Sequence, residues 1–315
     1  MTISGHLQEL YGLPAFDFPD ADAGADRLPD PASVAWRIGV DSYESDEAWE
    51  EAFARFVAAV ETTQVRALIV GAWSDAYNNG PDEVMAALLK AKAQLPALRG
   101  LFLGDITFEE CEISWINQSD VTPLLAGFPE LEEFGVRGGS GLAFPAVEHA
   151  NLRTLLVETG GLPVEVVRGV AASELPALER LDLWLGVSEY GGDAELADLE
   201  PFLAGIRLPR LRHLALRNSE IQDEIAAALA GAPVVARLET LDLSMGTLGD
   251  EGAAALLEGQ PLTHLKKLDL HHHFIGEPLG ERIRQALEPA GVVVDLDDVQ
   301  EPWDGEGGRF TAVAE

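Results

Sequence analysis

A hexapeptide pattern, L-x-x-L-x-L, recurs along most of this chain and limits how it can fold. It reads LRGLFL at 98, LRTLLV at 152, LERLDL at 178, LRHLAL at 211, LETLDL at 238 and LKKLDL at 265, with weaker copies VRALIV at 65 and LEEFGV at 131. Successive starts are 33, 33, 21, 26, 33, 27 and 27 residues apart. Apolar residues alternating at positions 4 and 6 predict a short strand. Helical signals follow: PDEVMAALLK opens on Pro81 at the first helical position with acids behind it, and DEAWEEAFARFVAAV (46–60) sets Trp49, Phe53, Phe56, Val57 and Val60 on one stripe. Each unit therefore reads strand, turn, helix, return. The shortest step, 131 to 152, predicts a unit with a reduced helix. No unit buries its leucines alone, so the units must stack. A length of 315 residues then means one solenoid rather than two compact domains. AWRIGVDS (35–42) and VVVDLDDV (292–299) read as strands at its two ends.

This pattern resembles the leucine-rich repeats, and LDLSMGTLGDEGAAALLEG (241–259) is similar to their ribonuclease-inhibitor-like type. The whole chain, with HLQELYGLP near its start and ISWI at 113–116, also resembles an uncharacterised bacterial family of such proteins. The resemblance implies a fold and carries no activity. The expected fold is an α/β leucine-rich-repeat solenoid, with a curved parallel β-sheet on the concave side and helices on the convex side. Residues 35–300 form it, between an N-terminal cap segment (1–34) and a C-terminal tail (301–315). One departure from the family is plain. Where it places Asn or Cys at position 9, this chain has Ile106, Gly160, Gly186, Ser219, Gly246 and His273. Without an asparagine ladder, the turns are expected to be satisfied by backbone or water.

Composition removes several classes of function. The net charge is −33, with 21 Lys plus Arg against 54 Asp plus Glu. Nucleic-acid binding requires a basic surface that displaces counterions, and an anionic membrane is disfavoured for the same reason. No stretch approaches the ~18 apolar residues of a membrane span. With Cys111 the sole cysteine and no secretory leader legible at the N-terminus, a cytoplasmic location is expected. Cys111 has no basic neighbour in sequence and reads as structural.

Positions 3, 5 and 7 of each unit face the concave side. In the last four units they give Arg180, His213, Thr240 and Lys267; Asp182, Ala215, Asp242 and Asp269; Trp184, Arg217, Ser244 and His271. With three acids and three bases, this half of the groove is nearly neutral. The acidity is expected elsewhere, as at 41–51 and 295–306. Asp242 and Asp269 form a carboxylate pair that holds a proton or cation, or is neutralised by Lys267 and Arg217. Trp184 beside Arg217 has the composition of a binding hot spot; the competing reading is cover by the 186–193 loop. In the N-terminal half, Ile69, Phe102 and Leu156 form an apolar patch flanked by glycines. It needs a cover: the N-terminal segment with Leu7, Leu10, Tyr11, Leu13, Phe16 and Phe18, the tail GRFTAVAE (308–315), or a partner.

Three consecutive histidines, His271, His272 and His273, invite a metal reading. Neighbours on a strand diverge, so no metal site is expected there. His271 should face the groove and His273 should cap the turn, with His213 approaching the edge of the group. The long loops 72–81, 104–120 and 186–195 should emerge at one end of the solenoid, carrying Tyr77, Trp115 and Tyr190, with Trp115 and Ile116 plugging the core. The function that follows is a non-catalytic protein–protein interaction scaffold with no cofactor, binding through Trp184, Arg217, Asp182, Asp242, Asp269, His271, Tyr77 and Tyr190. The alternatives are a hydrolase-like enzyme using the concave Asp/His cluster, or an obligate structural subunit. Sequence does not specify the protein partner or the oligomeric state.

Overall fold

In the computed structural model, residues 3–21, 28–42, 47–303 and 308–315 are described. The acidic runs expected at 41–51 and 295–306 lie partly outside them, at 43–46 and 304–306. Among these residues, twelve strands form one sheet in sequence order. They are β1 (Glu9–Leu10), β2 (Leu13–Asp17), β3 (Ala35–Ile38), β4 (Ala67–Val70), β5 (Gly100–Leu103), β6 (Glu133–Arg137), β7 (Thr154–Glu158), β8 (Arg180–Gly186), β9 (His213–Ser219), β10 (Thr240–Asp242), β11 (Lys267–Asp269) and β12 (Val293–Asp295). All pairings are parallel except β1 with β2. Every strand from β4 to β11 starts at position 3 of its unit, as the pattern predicts.

Among the described residues, eight α-helices line the other side: α1 (Trp49–Ala59), α2 (Asp82–Ala91), α3 (Thr122–Gly127), α4 (Val164–Ala172), α5 (Leu196–Ala204), α6 (Gln222–Leu229), α7 (Asp250–Glu258) and α8 (Glu277–Leu287). Pro81 is the N-cap of α2, one residue before the expected position. The 21-residue unit has no helix at all between β6 and β7; its return is extended, bridged at Ser140–Asn117, Ala143–Asp120 and Glu148–Glu174.

Leucines and their apolar replacements at positions 1, 4 and 6 are at most 3% exposed from Leu98 to Leu270. Each contributes roughly 1.5–3 kcal/mol by burial. The exit turns are built differently from expectation. Position 8 adopts left-handed backbone in four units, at Gly138 (φ 110°), Asn218 (54°), Met245 (67°) and His272 (54°). Side chains, rather than backbone or water alone, take the turn carbonyls. Gln118 donates to Arg137 O (2.8 Å), Thr159 to Trp184 O (2.9 Å), Gln222 to Leu216 O (2.8 Å) and Thr247 to Ser219 O (3.2 Å).

The N-terminal segment closes the first half of the concave face. Tyr11 and Gly12 both have positive φ, as a tight two-residue hairpin requires. The hairpin adds β2 to the sheet and folds β1 over it. Leu10 packs with Ala35, Ala67, Ile69 and Phe102, flanked by Leu7, Tyr11 and Leu13. Alternation sends Phe16 and Phe18 to the opposite face, against Trp36. Gly100 is bare because Tyr11 lies there: a Cβ would stand 2.8 Å from Tyr11 Cβ. A buried ionic chain then pins the segment. Asp105, fully buried, accepts from Arg37 Nε (2.7 Å), Arg137 Nη1 (3.1 Å) and the Leu7 N–H (3.1 Å), and Arg137 continues to Glu158 (2.8 Å). Burial opposes ionisation of Asp105, but the His6 hydrogen bond and both guanidiniums outweigh it and hold its pKa below the usual value.

Replacing Leu10 by Asp puts an unpaired carboxylate against Ile69 and Phe102. A loss of about 2–5 kcal/mol is expected in urea unfolding, with new dye-accessible apolar surface.

Candidate functional site

In the second half of the groove, strand register brings the acids and bases together. Asp182 and Ala215 are aligned, as are Asp242 with Ala215 and Asp242 with Asp269. Arg217 grips Asp182 with two bonds, Nε to Oδ1 and Nη2 to Oδ2, both 2.9 Å, and lies 3.7 Å from Asp242. Its guanidinium also stands 5.0 Å from the centre of the Trp184 ring. Burial raises the Asp242 pKa, with Asp182 and Asp269 acting in the same direction and Arg217 against it. With Arg180 3.3 Å from Asp182, two guanidiniums offset the two carboxylates, and Asp182 is almost wholly buried.

Trp184, 7% exposed, is covered by the C-terminal tail rather than by the 186–193 loop. It packs in one cluster with Ile113, Met245, Ala312 and Val313, against which Ile3 also rests. The tail runs back along the strand-exit edge. Arg309 binds Asp223 at 2.6 Å, and the Phe310 ring meets those of His272 (5.6 Å) and Phe274 (5.3 Å). Ala312 N–H donates to Met245 O at 2.7 Å. Asn218 then reads the Val313 backbone with both ends of its amide, Oδ1 accepting at 3.0 Å and Nδ2 donating at 2.6 Å. Ser114 Oγ donates to Ala314 O, and Tyr190 OH donates to Glu315; the second bond pushes the Tyr190 pKa up to about 12. Gly160 is bare because the tail passes over it: a Cβ would fall 2.0 Å from Ala314 O. The tail's bonds, with the burial of Ala312 and Val313, offset the about 1–2 kcal/mol that ordering each tail residue costs.

The histidines divide as strand geometry requires. His271 faces the groove and donates from Nδ1 to Asp269 (2.7 Å). His273 is buried, accepting from Ile275 N–H (3.0 Å) and reaching Leu296 O (3.2 Å), so it caps its turn. His272, on left-handed backbone, stands under the tail with Nε2 3.2 Å from Phe310 O. His213 does not join them: it aligns with Thr240 and Lys267, four residues or about 13 Å along the strand from His271. Among the described residues, Asp269, His271 and Asp295 have the spacing of a cation site. Lys267 already supplies a cation there, 2.7 Å from Asp269 and 3.5 Å from Asp295. For acyl-transfer chemistry a serine must bond the histidine; here Ser244 Oγ, fully buried, donates to Asp242 at 2.6 Å. Cys111 is buried too, its thiol pushed up to about 11 by desolvation and by Glu112 and Asp75.

The long loops do emerge together. Tyr77 and Trp115 rings lie 5.6 Å apart, and Trp115 and Tyr190 6.2 Å apart. Ile116 fills the core as expected, but Trp115 does not: it is 42% exposed, and Tyr77 53%. Away from the tail, an open groove of about 400 Å³ remains, lined by Arg180, His213, Thr240, Asp242, Lys267 and Asp269 among others.

The Leucine Rich repeat family model matches residues 208–230 and 238–257, the units of β9–α6 and β10–α7. A crystal structure of a Bacteroides fragilis protein is similar over 85% of this chain and 74% of its own, with 28% identity and a TM-score of 0.78. The APL1 leucine-rich repeat domain aligns over 92% of this chain and 94% of its own, at 12% identity and a TM-score of 0.26. No curated protein matches the chain. Repeat and register, with helices on one side of a parallel sheet, together define a leucine-rich-repeat solenoid. The chain has the α/β leucine-rich-repeat fold.

Two measurements probe the site. Arg217→Met leaves buried Asp182 with only the half-exposed Arg180, 3.3 Å away, and is expected to cost about 3 kcal/mol in denaturant unfolding. In an NMR titration, His271 is expected to titrate above the ordinary 6.5, because Asp269 holds its proton, and to fall back towards 6.5 in Asp269→Asn. Since folding raises this pKa, the stabilisation is complete below 6.5 and fades as pH rises through the folded value. For Asp269, burial is outweighed by bonds from His271 and Lys267 that lower its pKa; its share is present above about 3.9 and fades as pH falls through the folded value.

Proposed function

We propose that the protein is a non-catalytic, cytoplasmic interaction scaffold that holds a protein partner through its strand-exit loops and the open part of its concave face. The observation that carries this reading is the exposed aromatic cluster. Tyr77, Trp115 and Tyr190 come from loops of three different repeats, separated by up to 113 positions, yet their rings meet at one edge. Aromatic side chains of this kind, half in water, are the common anchors of protein interfaces. Leucine-rich repeats generally mediate protein–protein contacts, which supports the same reading. In it, Tyr77 and Tyr190 anchor the partner, and Asp242 and His271 offer polar contacts from the open groove. Trp184, Arg217, Asp182 and Asp269 hold that surface in shape from below. No helix among the described residues is long and apolar enough to cross a membrane.

The test is capture of a stoichiometric partner from native extract by the purified chain, repeated with Tyr77→Ala/Trp115→Ala. A tenfold or greater loss of affinity, about 1.4 kcal/mol, at unchanged melting temperature is expected. Affinity unchanged in that variant and in Asp242→Ala/His271→Ala removes the proposed surface, and no partner at low or physiological salt removes the reading.

A further inference from the structure

The tail lies in its groove as an extended peptide ligand would. Its central recognition is the Asn218 amide, which pairs with the N–H and C=O of one residue, Val313. That pairing reads main chain and is indifferent to the side chain. Specificity comes from three further features. Ala312 and Val313 sit in the pocket of Ile113, Trp184 and Met245, which admits small or β-branched groups. The passage over Gly160 admits only a slender backbone. Beyond it, the Tyr190 hydroxyl meets the Glu315 carboxylate.

The tail is also an incomplete occupant. The indole N–H of Trp184 is buried with no acceptor among the described residues, an arrangement that an occupant bearing an acceptor at that point would improve. Trp303 and Gly308 are bridged at the root of the tail, and its anchors are separate contacts, Arg309 to Asp223, Phe310 on His272 and Phe274, and Val313 on Asn218, none of them a strand ladder.

We propose that this groove, formed by Ile113, Trp184, Asn218 and Met245, is a peptide-binding site for an extended segment of a partner protein. The segment has the pattern small–β-branched–small followed by an acidic residue, and Thr311–Glu315 is its exchangeable intramolecular occupant. This deepens the scaffold reading and rests on it. The partner's segment displaces the tail, so the aromatic cluster and the vacated groove form one continuous surface along the exit edge. Belonging to the same chain keeps the tail at a high effective concentration, of order millimolar, and sets the threshold that an incoming segment must exceed.

The experiment uses the full chain and a fluorescein-labelled peptide of sequence RFTAVAE, followed by anisotropy. Val313→Asp places a carboxylate in the pocket and disfavours the chain's own tail. Its apparent affinity for the peptide is expected to exceed that of the unaltered chain at least tenfold. Adding Asn218→Gly, which removes the amide while suiting the left-handed backbone, is expected to return at least that factor. Binding no tighter in a folded Val313→Asp chain overturns the proposal, as does binding indifferent to Asn218→Gly. Should Val313→Asp fail to fold, hydrogen exchange on the unaltered chain decides. Ala312 and Val313 amides are expected to exchange at least 100-fold faster than that of Leu214; equal rates mean the tail leaves only on global unfolding, and overturn it. A partner captured through the aromatic loops while the peptide fails to bind sinks this inference alone, whereas a bound peptide with no partner captured sinks the loop reading and leaves the groove.

Discussion

Each coil buries the leucines of its neighbour, and nearly everything else follows from that dependence. A coil presents positions 1, 4 and 6 to the coils on both sides, so the sheet has no natural end. Both ends here are blunted by means the repeat does not contain. At the first end a hairpin doubles back, so that β2 pairs with β3 and the edge passes to the two-residue β1. At the other, β12 has only three residues and is followed by Asp297 and Asp298. Short, acidic edges resist further strand addition. Charge at these ends discourages end-to-end growth, while the groove stays close to neutral.

Stacking also leaves a concave face to be dealt with, and the two halves are treated differently. In the first, Ile69 and Phe102 are apolar, and the hairpin seals them with a buried ionic chain. Asp105 and its guanidiniums lose their water, and breaking that chain strands a charge, so this cover is expected to be permanent. In the second half the floor is already neutralised, Asp182 and Asp242 by Arg180 and Arg217. What crosses it is a tail held by exposed-edge contacts of Arg309, Phe310 and Glu315 and, at its centre, by small side chains and one amide. The contrast between a charged clamp and a main-chain reader is the physical basis for treating one cover as structure and the other as an occupant.

The leucine pattern made the fold legible because stacking acts on every unit alike: strand starts, register and the concave columns all follow from it. Pairing of Arg217 and Lys267 with their aspartates was legible too, since neighbours in a column are set by register. The rest depended on segments without a repeat. Trp184 reads as an open hot spot until the tail, 128 positions further on, is laid over it. Trp115 and Ile116 are adjacent and equally apolar in sequence, yet a short 3-10 turn at Ile113–Trp115 sends one out and one in. Asn218 and Asp105 fall at position 8, where the pattern assigns no role. A signal did exist. Gly160 stands where the family places a side chain, and a missing side chain at a crowded turn marks the passage of another backbone.

A solenoid that closes part of its own groove faces a trade between solubility and availability. Left open, the pocket of Ile113, Trp184 and Met245 would expose apolar surface beside the aromatic loops, and that invites indiscriminate association. Filled by a tightly packed element, it would bind nothing. A tethered tail of small residues sits between these limits. Its local concentration keeps the pocket dry against casual contacts, because any competitor must exceed an intramolecular ligand. Its modest buried area keeps the margin small enough for a better-matched segment to win. The same logic accounts for using an asparagine amide rather than a deep side-chain pocket. Main-chain pairing holds whatever extended segment arrives, and leaves discrimination to the glycine passage, the small apolar pocket and the tyrosine hydroxyl beyond it.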